Sequence, residues 1–421
     1  MINTYEISPG VTLRCFADRR FKQGCLSFQI IRPHSQKEAA MNALIPTVLL
    51  RGCRSCPDIR SITNQLDDLY GASVGTMVRR VGDYQTTGLY SAFLEDRFAM
   101  TGDRILEPML TFLGELLLQP LTEDGGFDRS FVAGEKKNLI ATIESELNDK
   151  RAYTMGKLLR TMCREDSFGV PRLGDAESVA SIDAKTLYEH YQYILRTSPI
   201  ELFYVGSTDG ETVAELVRKM LAPVARDVNP IEGQSGFHDA GGSELTEEMD
   251  AAQSVLCMGF VTDITSGSPE FAAMQVLNTV FGAGMTSKLF MQVREKMSLC
   301  YAIGSGYYAS KGIMTVSAGI DREKETQVRE EVLTQLENCR RGEITAEELN
   351  AAKEALLSSL RGIHDSPGAI ESYYSTHYLS GAFRTRQQYM EQIQAVTKEA
   401  VVAAAKTVRL HTTYFLKGVQ E

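Results

Sequence analysis

The strongest constraint on the fold is an order of local patterns that runs through the chain once and then runs again. Residues 11–32 alternate well enough for two short strands about a polar turn at 19–24. Residues 36–50 read as a helix stopped by Gly52. Residues 58–70 read as a second helix, capped by Asp58, with Ile59, Ile62, Leu66 and Leu69 as its apolar stripe. Strands at 72–80 and 85–94 flank Gly82-Asp83, a hairpin signal. Helices follow over 95–118, with Phe98 on the buried side, and over 129–159 as one long element. A helix opening at Ser181-Ile182-Asp183, a buried strand at 199–206 and a helix at 211–221 close the first pass.

The second pass has a strand at 252–262, a helix at 269–281, a strand at 313–319 and a helix at 322–341. Next come a helix from 345 with a Thr345/Glu348 capping box, helical segments at 371–379 and 384–390, a Thr397-capped helix and a strand at 412–416. Local matches share the order. Ala39-Ala40-Met41 lies on Ala272-Ala273-Met274, Thr47-Val48 on Thr279-Val280, Ile182-Asp183 on Val396-Thr397, and Gly206 on Gly418. The expectation is an α+β protein of two similar halves, each a mostly antiparallel sheet packed with helices and about 200 residues long. Residues 1–223 form the first half and 247–421 the second. Residues 224–246, with Pro, Gly and little apolar periodicity, form an exposed linker, or a linker that ends in a new edge strand.

Composition narrows the function classes. A formal net charge of -10 argues against a nucleic-acid partner, which needs clustered Lys and Arg. No apolar run is long enough to span a bilayer, and the start has no basic segment leading into an apolar one. The expectations are no membrane, a cytoplasmic location and reduced thiols for the eight scattered cysteines. Cys53 and Cys56 form the one close pair. With no second ligand pair in sight they read as incidental thiols in a turn; a redox or metal role is the competing reading.

The six histidines include no two within a helical turn of each other, so no His-x-x-Glu-His exists. There is no Gly-x-Ser-x-Gly, no P-loop and no dinucleotide fingerprint at Gly282-x-Gly284. One stretch still draws attention, residues 280–308. It opens on a glycine turn at Gly282 and Gly284. A helix then places Leu289, Phe290, Val293 and Met297 on one face, and a strand starts near Leu299. Arg294 ends the helix and Tyr301 follows seven positions later, so a cation and a phenol can face one cleft.

This stretch resembles the second-half signature of the insulinase/pitrilysin-type metallopeptidases, which include the mitochondrial processing peptidase. Gly284-Met285-Thr286-Ser287-Lys288-Leu289-Phe290, Val293-Arg294-Glu295-Lys296 and Leu299-Cys300-Tyr301 carry the match. Asp67-Asp68-Leu69-Tyr70-Gly71-Ala72-Ser73 and Gly174-Asp175-Ala176-Glu177-Ser178-Val179 resemble first-half segments of the same family. The resemblance implies two α+β halves in a clam-like arrangement. The family's zinc motif falls on Ala43, Pro46 and Thr47, where two histidines and a glutamate would be needed, and the third ligand falls on Thr142 or Glu144. Ala has no donor atom, Thr is a poor zinc ligand and Pro has no carboxylate to activate water. No metal or other cofactor is expected, and the chain by itself is no peptidase. Pro46 inside a helix is expected to cost about 3 kcal/mol or to kink it.

By the same resemblance, Arg294 and Tyr301 hydrogen-bond substrate near a scissile bond. A guanidinium suits a carbonyl or carboxylate and a phenol suits a developing oxyanion. The implied role is the non-catalytic, substrate-binding subunit of a heterodimer whose partner carries His-x-x-Glu-His, with a peptide as substrate; a dimer of this chain with itself stays open. The chain is similar to the inactive member of bacterial pairs, one of which is associated with elongation factor P modification. The competing implication is a structural scaffold with no part in proteolysis.

Overall fold

The central strands of both sheets are buried along most of their length, as strands covered on both faces must be. A computed structural model describes residues 2–100 and 102–419. The first sheet contains β1 (Ile2–Ser8), β2 (Val11–Ala17), β3 (Gln23–Pro33), β4 (Ser73–Val81) and β5 (Tyr84–Leu94). A two-residue hairpin, β6 (Thr122–Glu123) and β7 (Gly126–Phe127), stands apart, and β8 (Ile200–Gly206) returns to the sheet. The second sheet contains β9 (Ser243–Asp250), β10 (Ser254–Val261), β11 (Cys300–Tyr308), β12 (Ile313–Ile320) and β13 (Arg409–Val419). β10 and β12 are buried at every position.

The spatial orders are β1-β2-β8-β3-β5-β4 and β11-β12-β10-β13-β9. With β1 set aside, β2-β8-β3-β5-β4 corresponds strand for strand to β9-β13-β10-β12-β11. The parallel pair falls at the same place in both, β2 with β8 and β9 with β13, and every other pairing is antiparallel. The expected two-halved α+β fold is borne out, and the edge strands β4 and β11 are counterparts.

Two compact units form around these sheets. One holds Met1–Glu144, Pro171–Gly233 and His364–Thr376; the other holds Ser145–Val170, Gln234–Ile363 and His377–Glu421. Each unit therefore combines most of one half of the sequence with a helical segment from the other half. In the first, Leu13, Leu26, Phe28, Leu44, Phe93 and Leu113 are core residues. In the second, the helix Lys150–Met162 lies on the sheet, with Leu158 beside Val255, Cys257 and Leu416.

In both units an ion pair made by a buried carboxylate ties in the borrowed segment. Glu371, fully buried, pairs with Arg79 of β4 at 2.7 Å and accepts from Ser27 at 2.7 Å. Asp166 pairs with Lys311, in the turn between β11 and β12, at 3.0 Å, and both side chains are buried. Asp166 also accepts from the Phe168 amide at 2.8 Å and the His238 amide at 3.2 Å.

Several boundaries differ from the sequence reading. The helix expected over 95–118 starts only at Leu106, because the Asp96 carboxylate accepts from the amides of Ile105 and Leu106 at 2.7 and 2.9 Å and so ends the preceding loop. Phe98 is thereby left in a short 3₁₀ turn and exposed rather than buried. The single long helix over 129–159 is two helices, Arg129–Ser145 and Lys150–Met162. Asp149 stops the first and caps the second, accepting from Arg151 and Ala152 at 3.0 Å. β1 has no counterpart among the expected strands. Among the described residues no helix is long and apolar enough to cross a membrane.

Candidate functional site

The first half's degenerate motif lies on the helix Ala39–Leu49, which packs on β5 with Ala43, Leu44 and Pro46 buried. Pro46 sits inside this helix without ending it. Proline has no N–H for the carbonyl four residues back, here that of Asn42. The Thr87 hydroxyl on β5 donates to that carbonyl at 2.5 Å, so the acceptor freed by Pro46 is satisfied from the sheet. The Asn42 side chain is held as well, donating to Gln85 at 2.9 Å and lying 2.8 Å from His190 Nε2.

These residues do not fit a zinc ion. Ala43 is sealed in the core, and the Thr47 hydroxyl donates to the Leu44 carbonyl at 2.8 Å. Thr142 and Glu144 are exposed on the helix Arg129–Ser145. The buried carboxylate of that helix is Glu135, which lies 3.5 Å from Arg51. Among the described residues no three His, Cys, Asp or Glu side chains are grouped to hold a metal. Cys53 and Cys56 are buried thiols, joined through the backbone by Cys53 N–H donating to the Cys56 carbonyl at 2.8 Å.

The second half presents a different surface. The helix Phe271–Asn278 widens into a π-helical turn, Thr279–Ala283. Gly282 therefore lies inside a helical turn, not in an open glycine loop. A Cβ there would stand 2.6 Å from Ser305 Oγ and 2.9 Å from Leu289 Cδ1. Its absence lets Ser305 of β11 donate to Asn278 Oδ1 at 2.7 Å. Gly284 is extended at φ -132 with its nearest neighbour at 3.9 Å, so a side chain would fit.

A second π-helix, Phe290–Lys296, follows and closes with Met297 N–H donating to the Gln292 carbonyl at 2.9 Å. Its wider turn breaks the face expected from a 3.6-residue period. Leu289 and Val293 are buried, while Met297 is exposed. Ser298 then takes a left-handed conformation, φ 50, and turns the chain into β11. π-helical turns of this kind recur at functional sites.

Arg294 and Tyr301, seven positions apart, line one cavity of about 370 Å³ together with Glu295, Ser298, Leu299 and Lys324. The Arg294 guanidinium lies 4.6 Å from the centroid of the Phe290 ring and 3.7 Å from the Glu295 carboxylate. Tyr301 is 63% exposed, and its hydroxyl donates to Asp321 at 2.9 Å. Asp321 also pairs with Lys324 at 3.0 Å, and Lys324 donates to the Ser298 carbonyl at 3.2 Å. The hydrogen bond to Asp321 and its negative charge raise the Tyr301 phenol above its ordinary range. The hydrogen bonds from Lys324 and Tyr301 hold the Asp321 carboxyl below the ordinary carboxylate range. Burial pushes the neighbouring Cys300 thiol up to about 11, against the pull of Arg294, Arg151 and Lys324, so it is no thiolate nucleophile at neutral pH.

Asp321 and Lys324 are absent from the sequence reading. The signal within reach was the Asp-Arg-Glu-Lys run that ends β12, which gives no indication of contact with a tyrosine twenty residues earlier.

The chain is similar to known proteins along its whole length. Residues 181–356 match the family model described as the peptidase M16 inactive domain. The chain is 28% identical to the probable inactive metalloprotease YmfF of Bacillus subtilis, over 98% of this chain and 96% of the relative. A crystal structure of a conserved protein from Enterococcus faecalis matches with a TM-score of 0.92 at 26% identity, over 100% of this chain and 99% of that one. A structure of a peptidase M16 inactive domain from Pseudomonas fluorescens matches in fold with a TM-score of 0.82 at 18% identity, over 100% and 98%. These matches bear out the insulinase/pitrilysin-type resemblance. Ala43, Pro46 and Thr47 stand where the resemblance puts the zinc motif, and the chain is similar both to the peptidase M16 inactive domain and to a relative named a probable inactive metalloprotease.

Proposed function

We propose that this chain is the non-catalytic, substrate-binding subunit of a heterodimeric zinc metallopeptidase. A homologous partner carrying His-x-x-Glu-His supplies the zinc, and this chain supplies Arg294 and Tyr301 to the bound peptide. The observation that carries this reading is that the two side chains, though on different elements, line one accessible cavity. Three exposed methionines of the same segment, Met285, Met291 and Met297, are suited to contact varied peptide side chains. The test is peptide hydrolysis by the chain mixed with a His-x-x-Glu-His homologue from the same genome. Arg294→Ala is expected to lower turnover by about 100-fold while the two chains still co-elute. Unchanged turnover would exclude the role.

A second reading, a scaffold with no part in proteolysis, draws on one observation. Both side chains already have partners within the chain, Arg294 on Phe290 and Tyr301 on Asp321. It predicts that Arg294→Ala and Tyr301→Phe change nothing in any mixture.

A further inference from the structure

The helices Leu106–Leu118 and Gly210–Leu221 of the first unit pack side by side and leave a cavity of about 290 Å³ between them. Gly114 makes the space. It is buried, and a Cβ there would stand 2.8 Å from Met220 Cγ, so the helices approach closely at this point. Leu118 and Leu216 line the cavity half-buried, and their apolar surfaces stay open to a ligand. The charges around it are lopsided. Glu107 and Lys219, one on each helix, pair at 3.1 Å. Glu115 accepts from Ser55 Oγ at 2.6 Å and, among the described residues, pairs with no cation. It lies in the last turn of its helix, which carries no basic residue. A helix dipole already puts negative charge at that end, so a carboxylate there gains nothing for the helix. Glu115 and the helix end together concentrate negative potential beside an apolar groove.

We infer that this groove binds a small amphiphilic amine. The apolar body lies on Leu118, Leu216 and Met220 in the space left by Gly114, and the ammonium pairs with Glu115 while Ser55 keeps its bond to the carboxylate. A neutral ligand of the same shape would cover Glu115 without supplying a charge, and stripping water from an unpaired carboxylate is costly. The site therefore selects the cation over its neutral isostere. Ligand pockets run to roughly 300–1,000 Å³, so the size of this one suits a free amine rather than a folded segment of a partner. The inference is independent of the peptide-binding role proposed above.

The test titrates the full chain with phenethylammonium chloride and, separately, with phenethyl alcohol, and follows each ligand by NMR. The wild-type chain is expected to bind the amine about tenfold more tightly than the alcohol, the worth of one charge-assisted hydrogen bond. Glu115→Gln can still accept from Ser55 but carries no charge, and should bind both ligands alike. Leu216→Trp, which fills the groove, should bind neither, with its unfolding midpoint measured to show that the chain is folded. Binding of neither ligand by the wild type, equal binding of both, or a preference kept in Glu115→Gln would overturn the inference. Amine binding at the wild-type level by folded Leu216→Trp would overturn it as well. Should Leu216→Trp fail to fold, the loss or retention of the preference in Glu115→Gln decides.

Discussion

The two halves share one strand order, one parallel pairing and the same kind of edge strand, yet the helix Ala39–Leu49 of the first is largely buried while Arg294 and Tyr301 of the second line an accessible cavity. In the first half the helix Ala39–Leu49 has been turned inward. Ala43 and Pro46 are core residues, and the polar groups around them, Asn42, Gln85, Thr87 and His190, bond to one another. In the second half the corresponding helix runs into a π-helical turn, and a second π-helix carries Arg294 out beside Tyr301 at the start of edge strand β11. One topology thus supports a sealed site and an open one. The difference comes from side chains and from local helix geometry, not from the fold.

The largest expected effect tests what the halves have in common. Lys311→Ala leaves Asp166 buried without its cation and should cost about 3–5 kcal/mol in denaturant unfolding. Glu371→Ala takes an acceptor from Arg79 and Ser27 and should cost less, since Arg79 still donates to Ser375 and is partly exposed. A large loss in one unit and none in the other would show that the two ion pairs are not equivalent devices. Next comes the sealed site. Thr87→Val should cost about 1–3 kcal/mol by stranding the Asn42 carbonyl. Pro46→Ala restores an N–H for that carbonyl, so the two substitutions should couple in a double-mutant cycle; simple additivity would refute the compensation.

A smaller effect is a pH dependence in the same region. Burial holds the His190 imidazole below its ordinary value. As pH falls through the imidazole range, about 6.5, the unfolded chain takes up a proton before the folded one does. Stability from this group is therefore full above that range and declines below it. Burial lowers His377 in the same direction. The expected result is a melting temperature that falls between pH 7 and pH 5, by a smaller amount in His190→Gln than in the wild type. The smallest effect on stability belongs to the open site. Arg294→Ala and Tyr301→Phe should each leave the unfolding midpoint unchanged, since both side chains sit at the surface.

Much of the fold was legible because it depends on local signals. Asp58, Thr345 and Thr397 cap the helices they were expected to cap, and Gly82 turns the β4–β5 hairpin at φ 58. The repeated order, weak at each match, was correct because apolar strands and capped helices recur in register. What escaped depends on distance or on rare geometry. Arg79 and Glu371 are 292 residues apart, so neither the pair nor the borrowed segment could be seen in periodicity. The π-helices break the 3.6-residue period that placed Met297 on a buried face. The site was half legible. Arg294 and Tyr301 stood out through a resemblance, whereas Asp321 and Lys324, which set the state of Tyr301, become visible only once β12 lies beside β11.

The central claim is that this chain provides the grip and another provides the metal. The most direct measurement adds the purified chain in increasing amounts to a fixed amount of a His-x-x-Glu-His homologue from the same genome and follows cleavage of a fluorogenic peptide. The account predicts little cleavage by either chain alone, a rate that rises and saturates at one chain per partner, and no rise with the Arg294→Ala chain. Full cleavage by the homologue alone, or an equal rise with Arg294→Ala, would contradict it.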